Sequence, residues 1–146
     1  MRLAAIGTLI VVALTLSAAH GDTTSDIAAQ LAPVRDLSTL SITTRGRKTG
    51  KPHTVPVWFV VDGSTILLGT LDAKRDWVQN AAATPAVELT IGTLRVRGQL
   101  TTITDPSLNQ HFHELLAKKY WIAWAGSFFS RGPERAFRVD QLTPAD

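Results

Sequence analysis

Apolar and polar positions fall into short alternating runs, broken by two stretches of helical period. Leu40 and Ile42 alternate with Ser41 and Thr43, the pattern of a half-buried strand. Thr54–Val61 is rich in Val, Phe and Trp and reads as a strand, with Pro56 pointing to an edge, a bulge or a strand start. Asp62-Gly63 is a hairpin turn, and Thr65–Thr70 is the returning strand. Asp72–Ala83 reads as a helix capped by Asp72 and stopped by Pro85, with Trp77, Val78 and Ala81 on one side. Val87–Ile91 and Leu94–Ile103 flank Gly92-Thr93 as a second hairpin. Asp105–Lys119 is a helix with Asp105 as cap, Pro106 in its first turn and Leu108, Phe112, Leu115 and Leu116 as its apolar face. Arg135–Leu142 is a last strand. The order has no βαβ alternation and no repeat. It predicts a mainly β fold, a small closed or half-closed antiparallel barrel with helices outside, since closure also removes free strand edges.

Ahead of this pattern stands a different one. Arg2 precedes the nearly all-apolar run Leu3–Leu16, and Ser17, Ala18 and Ala19 are small. Residues 1–19 thus read as a signal peptide or, uncleaved, a membrane anchor, although the run is shorter than the ~20 residues of a comfortable span. The expectation is an exported protein, or one membrane-associated at the outer face of the cytoplasmic membrane. A mis-assigned start codon would make it cytoplasmic. Residues 20–36 read as a linker and short helix, Asp26–Leu31, with Ile27, Leu31 and Val34 as its buried stripe, and residues 37–146 as the barrel domain.

Composition removes several chemistries. At 146 residues and 45% apolar content, one domain with a proper core is expected. There is no Cys, which excludes disulfide scaffolds, thiol catalysis, iron–sulfur clusters and thiolate zinc sites. A net charge of +3 is too mild for a nucleic-acid binder of this size.

Charge is concentrated in one place. Thr43–His53 (TTRGRKTGKPH) holds Arg45, Arg47, Lys48, Lys51 and His53 and no acid. Two glycines let backbone N–H groups converge, Arg adds forked donors and Lys a point charge, a chemistry that suits phosphate or a string of carboxylates. It is not a nucleotide P-loop, because Gly50-Lys51 is followed by Pro52. A solvated hairpin loop and a nucleic-acid backbone patch are the competing readings of the same residues.

Three segments in order carry a resemblance: Ile42–Pro52 (ITTRGRKTGKP), Thr54–Gly63 (TVPVWFVVDG), and Trp77-Val78-Gln79-Asn80 followed by Pro85 and Val87. Together they resemble the deazaflavin (F420)-dependent nitroreductase family, within the split-barrel flavin and deazaflavin reductases. The resemblance covers roughly residues 37–99 well and the C-terminal third loosely. It implies a mainly β fold with flanking helices, a small antiparallel split β-barrel of the FMN-binding, pyridoxamine-phosphate-oxidase-like kind. It implies an oxidoreductase that passes hydride from F420 to a quinone, nitroaromatic or other electron-poor acceptor. Arg47, Lys48, Thr49 and Gly50 would hold the cofactor's phosphorylated, acidic tail. His53 stands where members commonly carry Arg, and gives one donor in place of a fork. Leu68, Gly69, Thr70 and Lys74 would lie along the ring, with Trp77 and Asn80 bracing that wall. Tyr120 is the expected catalytic residue, as a proton or hydrogen-bond donor to the acceptor. FMN is the alternative cofactor. A haem-like ligand in the same barrel and a non-catalytic exported binding protein are the alternative functions.

The remaining candidates are weak. His111 and His113 lie two apart on a helix and do not face each other, so they form no metal pair and read as exposed helix residues. No metal site is expected. Asp72 reads as a cap and Asp76 as solvated. The aromatics Tyr120, Trp121, Trp124, Phe128 and Phe129 suit core packing, a homodimer seam or a lid over a flat ring.

Overall fold

The computed structural model describes residues 22–121 and 132–146. Among these, the chain forms helix α1 (Asp22–Leu31), a 3-10 turn (Ala32–Val34), strands β1 (Leu40–Arg45), β2 (Pro52–Val57), β3 (Phe59–Asp62) and β4 (Thr65–Thr70), helix α2 (Asp76–Ala83), strands β5 (Ala86–Ile91) and β6 (Leu94–Thr102), helix α3 (Pro106–Lys119) and strand β7 (Arg135–Pro144). All strands join one antiparallel sheet in the order β2-β1-β5-β6-β7-β4-β3.

The topology itself requires the sheet to curl. β2 and β3 are its two edges, yet only Trp58 separates them in the chain. Consecutive Cα atoms lie 3.8 Å apart, so the edges come within about 8 Å there. A flat sheet of this size would hold them roughly 29 Å apart. The sheet therefore rolls into a split barrel, its two edges meeting but not pairing. A bulge between Arg97 and Gln99 on β6 sharpens the bend against β7. Gly98 is needed there: a Cβ would lie 2.7 Å from both Leu142 Cδ2 and Val139 Cγ1.

Strand alternation sorts the side chains. Leu40, Ile42, Phe59, Ile66, Leu68, Leu89, Val96, Phe137 and Val139 fill the barrel. Each such side chain contributes about 1.5–3 kcal/mol by leaving water. Ile27 and Leu31 bring α1 into this core, and Val34 packs against it. The intervening residues Val60, Leu67 and Ala136 point outward and are covered by Phe112 and Leu116 of α3. β4 is thus buried on both faces, which explains its continuous run Ile66-Leu67-Leu68.

Two elements differ from expectation for identifiable reasons. The strand expected over Thr54–Val61 is two strands, because at Trp58 the chain leaves one sheet edge for the other. Pro56 sits in edge strand β2, where its missing N–H costs nothing. α2 starts at Asp76, four residues late. Asp72 does not cap it: its carboxylate accepts from Lys74 N at 2.8 Å, and its backbone exchanges bonds with Thr70 Oγ1 at 2.8 and 3.1 Å. Such local bonds compete with helix formation. α3 starts as expected, with Asp105 accepting from Ser107 N at 3.3 Å and Leu108 N at 3.2 Å.

The membrane association and outer-face location expected from the N-terminal pattern are corrected. Among the described residues no helix is long and apolar enough to cross a membrane. Residues 1–19 themselves lie outside the described residues, as do Trp124, Phe128 and Phe129 of the aromatic segment.

Candidate functional site

The split between the barrel edges leaves a gap. β3 pairs with β4 only as far as Phe59 opposite Leu68, so Gly69 and Thr70 run on without it. β2 lies across from them, Trp58 crosses at the top and the start of α2 closes the other side. The result is a cleft of about 250 Å³ lined by Trp58, Gly69, Thr70, Leu71, Arg75 and Trp77, among others. Its walls combine Trp58, Trp77 and other apolar side chains with the polar Thr70 and Arg75, a lining that suits a flat ring with polar edges. Trp77 is 3% exposed and packs edge-on against Phe137 at 5.5 Å, so this wall is anchored in the core. Gly69 must lack a side chain, because a Cβ would meet Pro133 Cβ at 2.8 Å.

The basic loop forms a second concavity of about 280 Å³, with Lys48, Thr49, Lys51, His53, Asp76 and Asn80 on its lining. Gly46 N donates to Lys51 O and Gly50 N to Gly46 O, both at 2.8 Å, closing the loop on itself. Gly50 turns it at φ 69°, a left-handed conformation that favours glycine. The loop is then latched to α2. Asn80, 3% exposed, accepts from Arg47 N at 3.1 Å and from Arg47 Nη1 at 2.9 Å, and donates from Nδ2 to Thr44 Oγ1 at 3.3 Å. Arg47 Nη2 also meets Asp76 Oδ1 at 3.1 Å. Among the described residues, the ammonium groups of Lys48 and Lys51 have no protein partner.

The two concavities draw on the same two elements, β2 and α2. His53 and Asn80 line the basic end, while Val57 and Trp77 line the cleft, on the same strand and the same helix. From His53 to Val57, β2 spans roughly 13 Å.

The residues expected at the site divide accordingly. Gly69, Thr70 and Trp77 line the cleft, and Arg47, Lys48, Thr49, His53 and Asn80 the basic end. Gly50 faces a separate groove of about 540 Å³, beside Arg45 and Arg97. Leu68 is fully buried in the barrel, and exposed Lys74 lines neither concavity. Arg47 and Asn80 spend their donors and acceptors on each other and on α2. Leu71, in the turn expected along the ring, also lines the cleft, whereas Trp58 and Arg75 are not among the residues the sequence points to. A strand residue that switches sheet edges has no local signature, and Arg75 was placed inside a helix that starts after it.

Tyr120 stands behind the cleft. Its ring stacks on Trp58 at 4.5 Å. Its hydroxyl accepts from Phe59 N at 3.2 Å and lies 2.9 Å from both Ser38 O and Phe59 O, so its single proton is committed to a main-chain carbonyl. The structure gives it the position of a brace for Trp58. Burial pushes its pKa up to about 12, the hydrogen bond to Phe59 opposing. An unfolded tyrosine ionises near pH 10. Between about pH 10 and 12 the unfolded chain gives up a proton that the folded chain keeps, so stability falls as pH rises through that window. Tyr120→Phe should flatten this fall in alkaline unfolding curves. An equal fall in the variant would place the hydroxyl outside the network.

Solved structures share the architecture. A Listeria innocua protein superposes with a TM-score of 0.60 at 16% identity, over 81% of this chain and 96% of that one. An F420-H2-dependent reductase (FDR-A) gives 0.56 at 20% identity, over 70% and 94%. A FAD-binding protein of Mesorhizobium loti gives 0.55 at 18%, over 79% and 89%. At these identities the likeness speaks for the fold. No curated protein matches the chain by sequence. The family profile described as pyridoxamine 5'-phosphate oxidase matches residues 27–145, nearly the whole described barrel with the end of α1, and the chain belongs to that family.

Proposed function

We propose that the chain is an oxidoreductase that binds the deazaflavin F420, its ring in the Trp58–Trp77 cleft and its phosphorylated tail at the basic loop. The observation that carries this reading is the pairing of two concavities along β2: a cleft walled by Trp58 and Trp77 at the Val57 end and an unneutralised cationic pocket at the His53 end. The donor set fits an anion. Lys48 and Lys51 are unpaired among the described residues, and the one carboxylate on that lining, Asp76, is held by Arg47. The similarity to an F420-H2-dependent reductase points the same way.

When bound, the cofactor would supply the hydride, and the chain supplies placement. Trp58 and Trp77 hold a ring between them and keep water from its face. Lys48, Thr49 and Lys51 fix the tail's charge, and the Asn80 latch fixes the loop that carries them. Tyr120 steadies Trp58 from behind. The acceptor is a quinone, nitroaromatic or similar electron-poor molecule.

Titrating the protein with F420 and, separately, with FMN, followed by absorbance and fluorescence, tests this. F420 should bind, and Lys48→Ala should weaken it about tenfold, the ~1.4 kcal/mol of one charge-assisted contact. No F420 binding at high micromolar concentration sinks the proposal. FMN binding without F420 binding would move the assignment to a flavin.

A further inference from the structure

Among the described residues, Arg75 is the one charged side chain on the lining of the cleft, and none of the roles above uses it. Its backbone is fixed. The N–H donates to Asp72 O at 3.3 Å, and the carbonyl accepts from Val78 N at 3.1 Å and Gln79 N at 3.2 Å as α2 begins. Its guanidinium has no protein partner among the described residues. Main-chain bonds therefore hold the residue in place while its charge stays available.

The acids of the same turn are engaged elsewhere. Asp72 accepts from Lys74 N at 2.8 Å, Glu134 accepts from Ala73 N at 3.0 Å, and Asp76 is paired with Arg47. None of the three lines the cleft. Thr70 commits its hydroxyl to Asp72, donating to the carbonyl and accepting from the N–H. A phosphorylated tail needs no further cation here, since Lys48 and Lys51 stand in the other concavity, at the His53 end of β2. The cleft also has a floor and a rim. Trp77 is 3% exposed, whereas Leu71 and Arg75 are exposed and face the solvent side, where a second flat molecule would enter over a ring laid on the floor.

We propose that Arg75 selects the electron acceptor, favouring a flat, electron-poor ring that carries a carboxylate or a similar anion. The guanidinium offers a carboxylate two parallel donors. The indole walls supply ring contact that does not depend on the ligand's charge. A neutral ring of the same shape gains only the second interaction. Calling that ring an acceptor rests on the proposed function; the selectivity of the cleft does not.

The test compares 4-nitrobenzoate with 4-nitrobenzamide, which share the ring and the nitro group and differ in charge. Titration calorimetry measures both on the ligand-free protein and again with F420 added. The wild type should prefer nitrobenzoate about fivefold, the upper end for an exposed ion pair. Salt at about 0.5 M should erase most of that preference, because the pair is open to screening. Arg75→Gln should remove the preference, and Arg75→Lys should keep part of it, since lysine retains the charge but not the fork. Lys118→Gln removes the same charge from an exposed position that lines neither concavity, and should leave the preference in place. Equal binding of the two probes by the wild type overturns the assignment, as does failure of both to bind at low millimolar concentration. So does a preference that survives in Arg75→Gln or is lost equally in Lys118→Gln. A loss of F420 affinity in Arg75→Gln as large as the loss for nitrobenzoate would give the residue to the cofactor and also overturn it. Failure of F420 to bind, with the Arg75-dependent preference intact on the ligand-free protein, would count against the proposed cofactor and not against the selectivity.

Discussion

Phe112→Ala should lower the free energy of unfolding by about 3–5 kcal/mol, the usual loss for emptying a fully buried aromatic site. Phe112 is 0% exposed and stands at the centre of the outer cluster, between α3 and the outward faces of β3, β4 and β7. Its neighbours there are Val60, Leu67, Leu116 and Ala136, and Gly69 lies close beneath its ring. All of these but Leu116 belong to hydrogen-bonded strands, and Leu116 is fixed on α3 itself, so they cannot collapse into the space left behind. The effect should reach the site as well. Leu116 and Gly69 both line the cleft, and at the end of the same helix Lys119 and Tyr120 donate to Phe59 O, with the Tyr120 ring stacked on Trp58. Urea unfolding followed by circular dichroism measures the loss. A change below about 1 kcal/mol would mean that α3 is held by something other than this cluster.

Asn80→Ala should cost about 1–3 kcal/mol, the penalty for leaving buried or half-buried polar partners without a mate. One side chain serves three groups from two places in the chain: Arg47 N, the Arg47 guanidinium and Thr44 Oγ1. Thr44 is itself 2% exposed, so its hydroxyl has little water to turn to. The basic loop would keep its internal closure through Gly46, Gly50 and Lys51 but lose its registration on α2. The amide of Arg47 should then exchange with solvent much faster, and F420 should bind more weakly while the barrel stays folded. Hydrogen exchange resolved at Arg47 separates this from a general loss of stability. Slow exchange at that amide, with unchanged unfolding free energy, would remove Asn80 from the latch.

Much of this fold was legible along the chain, because the signals that set it are local. Period-two alternation marks the start of β1, and the runs beside the hairpin turns bound β4, β5 and β6 to within a residue. Asp62-Gly63 and Gly92-Thr93 marked the two hairpins, and Asp105-Pro106 marked the start of α3. The clustering of Arg45, Arg47, Lys48 and Lys51 without an acid also marks the loop proposed to hold an anion. None of these required knowing what lies across from what.

Only the tertiary structure decided the rest. The sheet's curl brings β2 and β3 together at Trp58, and so turns a residue that reads as mid-strand into the wall of a cleft. The same folding brings Asn80 to Arg47 across 33 positions, which makes the pair a latch that holds the loop. It also carries the Tyr120 hydroxyl to Phe59, 61 positions away, where its proton is spent on a backbone carbonyl. Sequence reports what each residue can do through its own period, charge and turn chemistry. Which partner uses up a donor or acceptor depends on distances that only the closed barrel sets.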